Sequence, residues 1–298
     1  MLAIGVYPFA FIIAFEEMFC VMVRVVVVGG GWAGCAAAIG ARKAGAEVVL
    51  LARTDMLLGT GLVGGIMRNN GRYTAAEEMM VMGGGELFTL CDEGARHRNI
   101  EFPGHKHANL YDIATIHDAV LKLLHSLGVE VCFKARIGKA SMSDGFIEEA
   151  IDEKGNIYSG NVFIDATGTA GPMNNCTRYG NGCAMCIIRC PSFGGRVSFT
   201  GLTGIKESIG RKSDGSYGAM SGSCKLHKES LAEDIQKELN EKGVVIIPVP
   251  KELVKDHLGI KACQQYALKE FAENLILLDT GHAKLMVPFY DLELLRKI

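Results

Sequence analysis

Apolar positions along the chain fall into two kinds of run. Val25 to Val28 is an unbroken β-branched stretch, which predicts a strand buried on both faces. Small residues from Ala33 to Ala38 predict a helix that can lie close on a sheet. Gly45 ends it, and Val48 to Leu51 predicts a second strand, completing a βαβ unit. Glycines dominate from Gly59 to Gly71. Thr74-Ala75-Ala76-Glu77 has the form of a capping box and predicts a helix start. Gly83-Gly84-Gly85 interrupts that helix, and the pattern resumes over 86–98. A loop with Pro103, His105 and His107 follows, then a helix over 111–127 and a strand from Val129 to Phe133. Residues 135–160 alternate strands with turns at Asp144-Gly145 and Lys154-Gly155-Asn156. Val162 to Ile164 reads as another buried strand. Ser230-Leu231-Ala232-Glu233 is a second capping box, before a helix to about Lys242. Strands are predicted at Val244 to Val249 and Leu275 to Leu278, with a helix over 251–273 between them. The fold class is α/β: a parallel central sheet, an inserted β-rich segment and a helix-containing extension.

Composition narrows this only a little. With 298 residues and 49% hydrophobic, the chain can bury a sizeable core. A net charge of −2 gives no global support to a nucleic-acid partner. Residues 1–15 are nearly all apolar, yet too short to span a bilayer comfortably, and Glu16 and Glu17 interrupt them. Residues 1–21 read as an extra segment ahead of a start at Met22, not as a membrane anchor. Two regions are expected after it, 22–175 and 176–298. Ten cysteines suit a reducing cytoplasm, where crowded thiols bind metal or exchange electrons.

The chemistry begins at Gly29-Gly30-Gly31-Trp32-Ala33-Gly34. A Gly-x-Gly-x-x-Gly run between a strand and a helix is a dinucleotide loop. Gly29 permits the tight turn, Gly31 a close backbone approach to a pyrophosphate, and Gly34 close helix–strand packing. The helix N-terminus adds free N–H groups and positive potential. One part departs from the pattern: Ala52 stands where an acid usually closes the second strand and binds a ribose hydroxyl. Asp55 is a candidate substitute, and Arg53 raises a 2′-phosphate as a lesser option.

A second signature, Val162-Phe163-Ile164-Asp165-Ala166-Thr167-Gly168, is an apolar strand ending in Ala-Thr-Gly. With the first loop it resembles the glutathione reductase-like FAD superfamily. Gly59-Thr60-Gly61-Leu62-Val63-Gly64-Gly65, Asp165 to Pro172 and the cysteines after them are similar to flavoproteins related to the heterodisulfide reductase A subunit. The resemblance implies a Rossmann-like FAD-binding domain, with Gly61, Gly64 and Gly65 beside the flavin and Ala166, Thr167 and Gly168 closing on it. It also implies a late glycine turn that the sequence does not show, so the chain reads as C-terminally truncated.

Cys183-x-x-Cys186-x-x-x-Cys190-Pro191 matches the end of a ferredoxin run, and Cys176 offers a fourth thiolate for a [4Fe–4S] cluster. Cys183 and Cys186 equally have the spacing of a redox dithiol, and buried structural thiols are the third option. The expected function is electron transfer between FAD and these cysteines, with a small-molecule or protein electron donor or acceptor. Two alternatives stand beside it. One is a non-catalytic electron-relay subunit or fragment. The other is a tRNA-modifying flavoprotein, because Arg189-Cys190-Pro191-Ser192 resembles the loop of such proteins and 178–212 is locally basic. His282, in a polar loop after a strand, is a candidate proton carrier. Arg68 and Arg72 could pair with an anion. Met79, Met80 and Met82 are expected to fill core gaps.

Overall fold

The computed structural model describes residues 22–59, 61–62, 65–67, 71–168, 197–205, 224–254, 268–286 and 294–298. Its strands are β1 (Arg24–Val28), β2 (Glu47–Leu51), β3 (Ile66–Met67), β4 (Ala95–Phe102), β5 (His105–Tyr111), β6 (Glu130–Cys132), β7 (Ile137–Ser143), β8 (Phe146–Asp152), β9 (Ile157–Ser159), β10 (Val162–Asp165), β11 (Cys224–Leu226), β12 (Val244–Pro248), β13 (Asn274–Asp279) and β14 (Ala283–Leu285). Its helices are α1 (Trp32–Lys43), α2 (Gly71–Val81), α3 (Glu86–Glu93), α4 (Ile116–Ser126), α5 (Phe199–Leu202), α6 (Glu233–Lys242) and α7 (Glu270–Glu273).

A parallel sheet in the order β10-β1-β2-β6 forms a Rossmann-like α/β unit. Successive side chains of a strand point to opposite faces. Val25 and Val27 therefore enter one core with Cys35, Ala38 and Ile39 of α1 and Val120 and Leu124 of α4. Val26 and Val28 enter another with Ile137, Ala150 and Phe199, beneath the antiparallel sheet β7-β8-β9. Two-sided burial explains why β1 has no polar residue after Arg24. Burying each valine stabilises the fold by about 1.5–3 kcal/mol. The inserted β-rich segment is thus the second cover of the parallel sheet.

A second antiparallel sheet, β11-β14-β13-β12, carries Leu275 and Leu277 toward Leu239 of α6. Ile276 and Leu278 of the same strand face Phe102, Ala108 and Leu110 of the β4–β5 hairpin.

Several expectations change. The helical pattern over 86–98 stops at Glu93, and Ala95–Phe102 is a strand, because pairing with β5 overrides the local pattern. His105 and His107 lie on β5, after a Pro103-Gly104 turn. The 111–127 helix starts at Ile116: Tyr111 ends β5, and Asp112 Oδ1 accepts from Ala114 N in a turn. Thr74 lies inside α2, which begins at Gly71. Ser230 Oγ donates to the carbonyl of His227 within a 3-10 turn, and Ala232 takes the N-cap place of α6 without a side-chain cap. Of 251–273, the described ends are a 3-10 turn at Lys251–Leu253 and the short α7. Val162 is exposed, since β10 is an edge of the described sheet. Met79 and Met82 are exposed rather than core. Residues 1–21 lie outside the described residues. No described helix is long and apolar enough to cross a membrane.

Candidate functional site

Parallel register brings the ends of β1, β2 and β10 together: Val28 pairs with both Leu51 and Asp165. Gly29 N donates to Leu51 O at 2.8 Å, and Ala166 N donates to Val28 O at 2.8 Å. The glycine loop leaves β1 at this edge. Gly29 has φ +120°, and a Cβ there would lie 2.2 Å from the Ala166 carbonyl oxygen. A Cβ on Gly34 would lie 1.8 Å from Gly29 O. Close packing therefore demands both glycines.

Gly31 differs. Its φ of −76° suits any residue, and a Cβ there would meet nothing within 4 Å. The fold does not need glycine at this point, and the space in front of it stays open. Gly31 is the N-cap of α1, with no side-chain cap bond and no acid in the first turn. The N-terminal N–H groups of a helix have no intrahelical acceptors and carry positive potential. These features fit a pyrophosphate.

A second loop crosses over the first. Leu58 N donates to Gly30 O at 2.7 Å, and Leu58 forms a parallel bridge with Gly31. Leu58 takes φ +70° to do so. The next turn presses Gly61 onto Trp32: a Cβ on Gly61 would lie 1.7 Å from the indole Cδ1. The Tyr111 hydroxyl donates to Gly61 O, and its ring meets Trp32 edge-on at 6.0 Å. Burial pushes the Tyr111 phenol above its usual range. Leu57 N donates to His117 Nδ1 at 3.0 Å, which makes that nitrogen the acceptor. Gly65 O accepts from Tyr111 N at 3.0 Å, and its Cα sits against Thr280, where a Cβ would lie 2.4 Å from the methyl.

The Ala166-Thr167-Gly168 turn is held by Asp165. Its Oδ1 accepts from Thr167 N at 2.9 Å and Thr167 Oγ1 at 2.7 Å, and its Oδ2 from Thr200 N at 2.8 Å. Burial opposes ionisation of Asp165, but the bonds from Thr167 and Thr200 outweigh it and lower its pKa.

Behind Thr280 lies a charge cluster that sequence reasoning missed. Asp279, fully buried, accepts from Arg96 Nε at 3.0 Å, Arg96 Nη2 at 3.1 Å, His97 Nε2 at 2.8 Å and Lys228 Nζ at 2.7 Å. Arg96 also reaches Asp112 at 3.0 Å. Burial works against the Asp279 charge, yet the bonds from Arg96, Lys228 and His97 win and hold its pKa at about 2. The signal was present as an acid closing an apolar strand, but its partners lie up to 183 residues away.

The structure thus gathers Gly29, Gly31, Gly34, Gly61, Ala166, Thr167 and Gly168 around one sheet edge, with Gly65 at the far end of the second loop. His282 sits on the β13–β14 turn, its ring 5.6 Å from that of His227 and its Nδ1 buried without a hydrogen-bond partner. Gly64, Cys176, Cys183, Cys186 and Cys190 lie outside the described residues, as do Arg68 and the side chain of Arg72. Among the described residues, no three His, Cys, Asp or Glu side chains are placed to hold a metal ion. Described Cys35 and Cys91 are buried, and burial pushes both thiols up to about 12.

The protein-family model described as "Glucose inhibited division protein A" matches residues 24–278. The chain belongs to the glucose inhibited division protein A family. Comparison with curated protein sequences finds no match. Among solved structures, GidA from Aquifex aeolicus is similar over 51% of this chain and 26% of its own, at 16% identity and TM-score 0.41. The Diels-Alderase PyrE3 is similar over 49% and 32%, at 20% identity and TM-score 0.38. CtdE, solved with FAD, is similar over 48% and 38%, at 20% identity and TM-score 0.36. The chain spans under two fifths of each of these proteins. Family membership, together with the fit of the Gly31 cradle to a pyrophosphate, supports an FAD-binding flavoprotein. The narrower likeness to heterodisulfide reductase A-related proteins rests on the sequence segments alone.

Proposed function

We propose that the chain is the FAD-binding part of a flavoprotein oxidoreductase, with the pyrophosphate of FAD held at Gly29 to Gly34. The observation that carries this is the contrast among the three glycines. Gly29 and Gly34 are demanded by packing, whereas Gly31 faces open space with an ordinary backbone. A residue kept small without a packing reason, at a helix N-terminus, reserves its space for an anion. FAD would supply two-electron chemistry with single-electron steps. The protein's own part is to position it. The N–H groups of α1 would meet the pyrophosphate, Gly61 and Gly65 would run beside the ring system, and the Asp165-braced turn would close the other side. The finer step, onward transfer to Cys176, Cys183, Cys186 and Cys190 as a [4Fe–4S] cluster or dithiol, is supported by their spacing only. His282, with its orphan Nδ1, is the candidate proton carrier near the Gly65 end.

Gly31→Val tests the reading. The fold has room for the side chain, so the melting temperature of the flavin-free protein should hold within about 2 °C, a surface-like change. Flavin retained on purification should fall at least ten-fold. Unchanged flavin content would remove the cradle from the site.

Family membership favours a second reading for the substrate. A tRNA-modifying flavoprotein fits the family and the Arg189-Cys190-Pro191-Ser192 resemblance. Salt-sensitive tRNA binding by the full chain would support it, since phosphate contacts weaken steeply with salt.

A further inference from the structure

We propose that Ala52 leaves the adenosine ribose without a carboxylate partner, so that the chain binds adenine dinucleotides without reading the 2′-hydroxyl. The inference rests on the FAD reading and deepens it. In dinucleotide folds the residue closing the second strand is an acid that accepts from the ribose hydroxyls. Ala52 holds that place by backbone geometry: its N–H donates to Cys132 O at 2.8 Å and its carbonyl accepts from Ala135 N at 3.0 Å. The position is therefore locked in line with the sheet, beside the phosphate loop.

Packing closes it with carbon. Ala52 is 1% exposed. A Cβ on Gly30 would lie 2.7 Å from the Ala52 methyl and 3.2 Å from Leu57 Cδ2. The floor beside the loop is thus Gly30, Ala52 and Leu57, which offer no side-chain acceptor. The hydroxyl of Thr54, two residues on, is committed elsewhere, because its Oγ1 donates to Met56 O at 2.9 Å and accepts from Met56 N at 3.3 Å. Asp55, the remaining acid of this turn, is exposed.

The consequence is a missing preference. A ribose hydroxyl donating to a carboxylate is worth about ten- to a hundred-fold in affinity, the size of a hydrogen bond to a charged group. Here that factor should be absent.

The test uses the full chain freed of flavin and titrated with ADP or 2′-deoxy-ADP. Emission from Trp32, the single tryptophan and the first residue of α1, reports binding. The two dissociation constants should agree within about two-fold, as for ligands with equal contacts. Ala52→Glu, checked for an intact fold by its thermal melt, should gain about a ten-fold preference for ADP. A preference of ten-fold or more in the unaltered chain overturns the inference, and its loss in Asp55→Asn would hand the role to Asp55. A folded Ala52→Glu protein that binds ADP without gaining a preference also overturns it. If neither nucleotide binds, and FAD does not bind, the FAD reading itself fails. FAD binding with strong 2′ discrimination sinks only the ribose assignment.

Discussion

Asp279 collects a bidentate arginine, a histidine and a lysine on one buried carboxylate. Its pKa near 2 lies below the unfolded value of about 3.9. A depressed acid contributes stability that is complete above the unfolded pKa and is lost as pH falls through the folded one. The contribution should therefore drain away between about pH 4 and pH 2. Asp279→Asn should melt at lower temperature at pH 6, because Arg96 and Lys228 lose their buried partner, a change of about 3–5 kcal/mol for such pairs. Its melting temperature should also vary less between pH 4 and pH 2. Parallel curves for the two proteins would count against the role of this charge. Lys284 responds in the same direction at higher pH. Burial lowers it from 10.5 to about 8, so the unfolded chain holds more protons between those values. Stability attributable to Lys284 should rise with pH across that window.

At the scale of elements, the site is two loops laid across each other at the end of a parallel sheet. The first was legible, because Gly29, Gly31 and Gly34 sit between an apolar strand and a small-residue helix. The second was legible only as a glycine-rich stretch. Its course depends on Leu58 meeting Gly30 and on Tyr111 meeting Gly61, contacts 28 and 50 residues apart in the chain. The two capping boxes misled for a related reason. Four residues carry a local signal, and Ser230 satisfies its hydroxyl in a 3-10 turn instead. Residues 95–98 looked helical because pairing with β5 is invisible to a short window. Gly61→Ala checks the crossing directly. The added methyl must displace the Trp32 indole, so the tryptophan emission maximum should shift, and flavin retention should fall. An unshifted spectrum would place Gly61 away from the indole. Tyr111→Phe should cost about 1–3 kcal/mol of stability by stranding the Gly61 carbonyl.

In the whole molecule β13 joins the later antiparallel sheet to the β4–β5 hairpin, its two faces belonging to different cores. The α/β class and the strands β1, β2, β6, β10, β12 and β13 followed from apolar runs and β7 to β9 from alternation between turns, whereas β3, β4, β5, β11 and β14 left no such run. The docking of β13 on the β4–β5 hairpin did not follow, because alternating faces say nothing about which partner they meet. The full chain, purified without oxygen, should show the visible absorbance of a bound flavin. Iron and acid-labile sulfide near four atoms each per chain would support the cluster at Cys176, Cys183, Cys186 and Cys190, as a [4Fe–4S] centre requires. A flavin-bearing protein without iron would leave the dithiol or structural thiols.

The contact between Gly65 and Thr280 sets an order of events during synthesis. Chains emerge from the ribosome N-terminus first, and early domains fold as they appear. The phosphate cradle draws its packing from residues 24 to 166, so it can form while the C-terminal third is still being made. The Gly65 end, where the flavin ring is proposed to lie, cannot. Gly65 gains its neighbour, and Arg96 the second of its two carboxylates, only when residues 279 and 280 have been added. A nascent chain stopped before Asp279 would therefore carry the proposed seat for the phosphates and an open end where the ring is proposed to lie. On the proposed placement of FAD, cofactor loading would be one of the last steps of maturation.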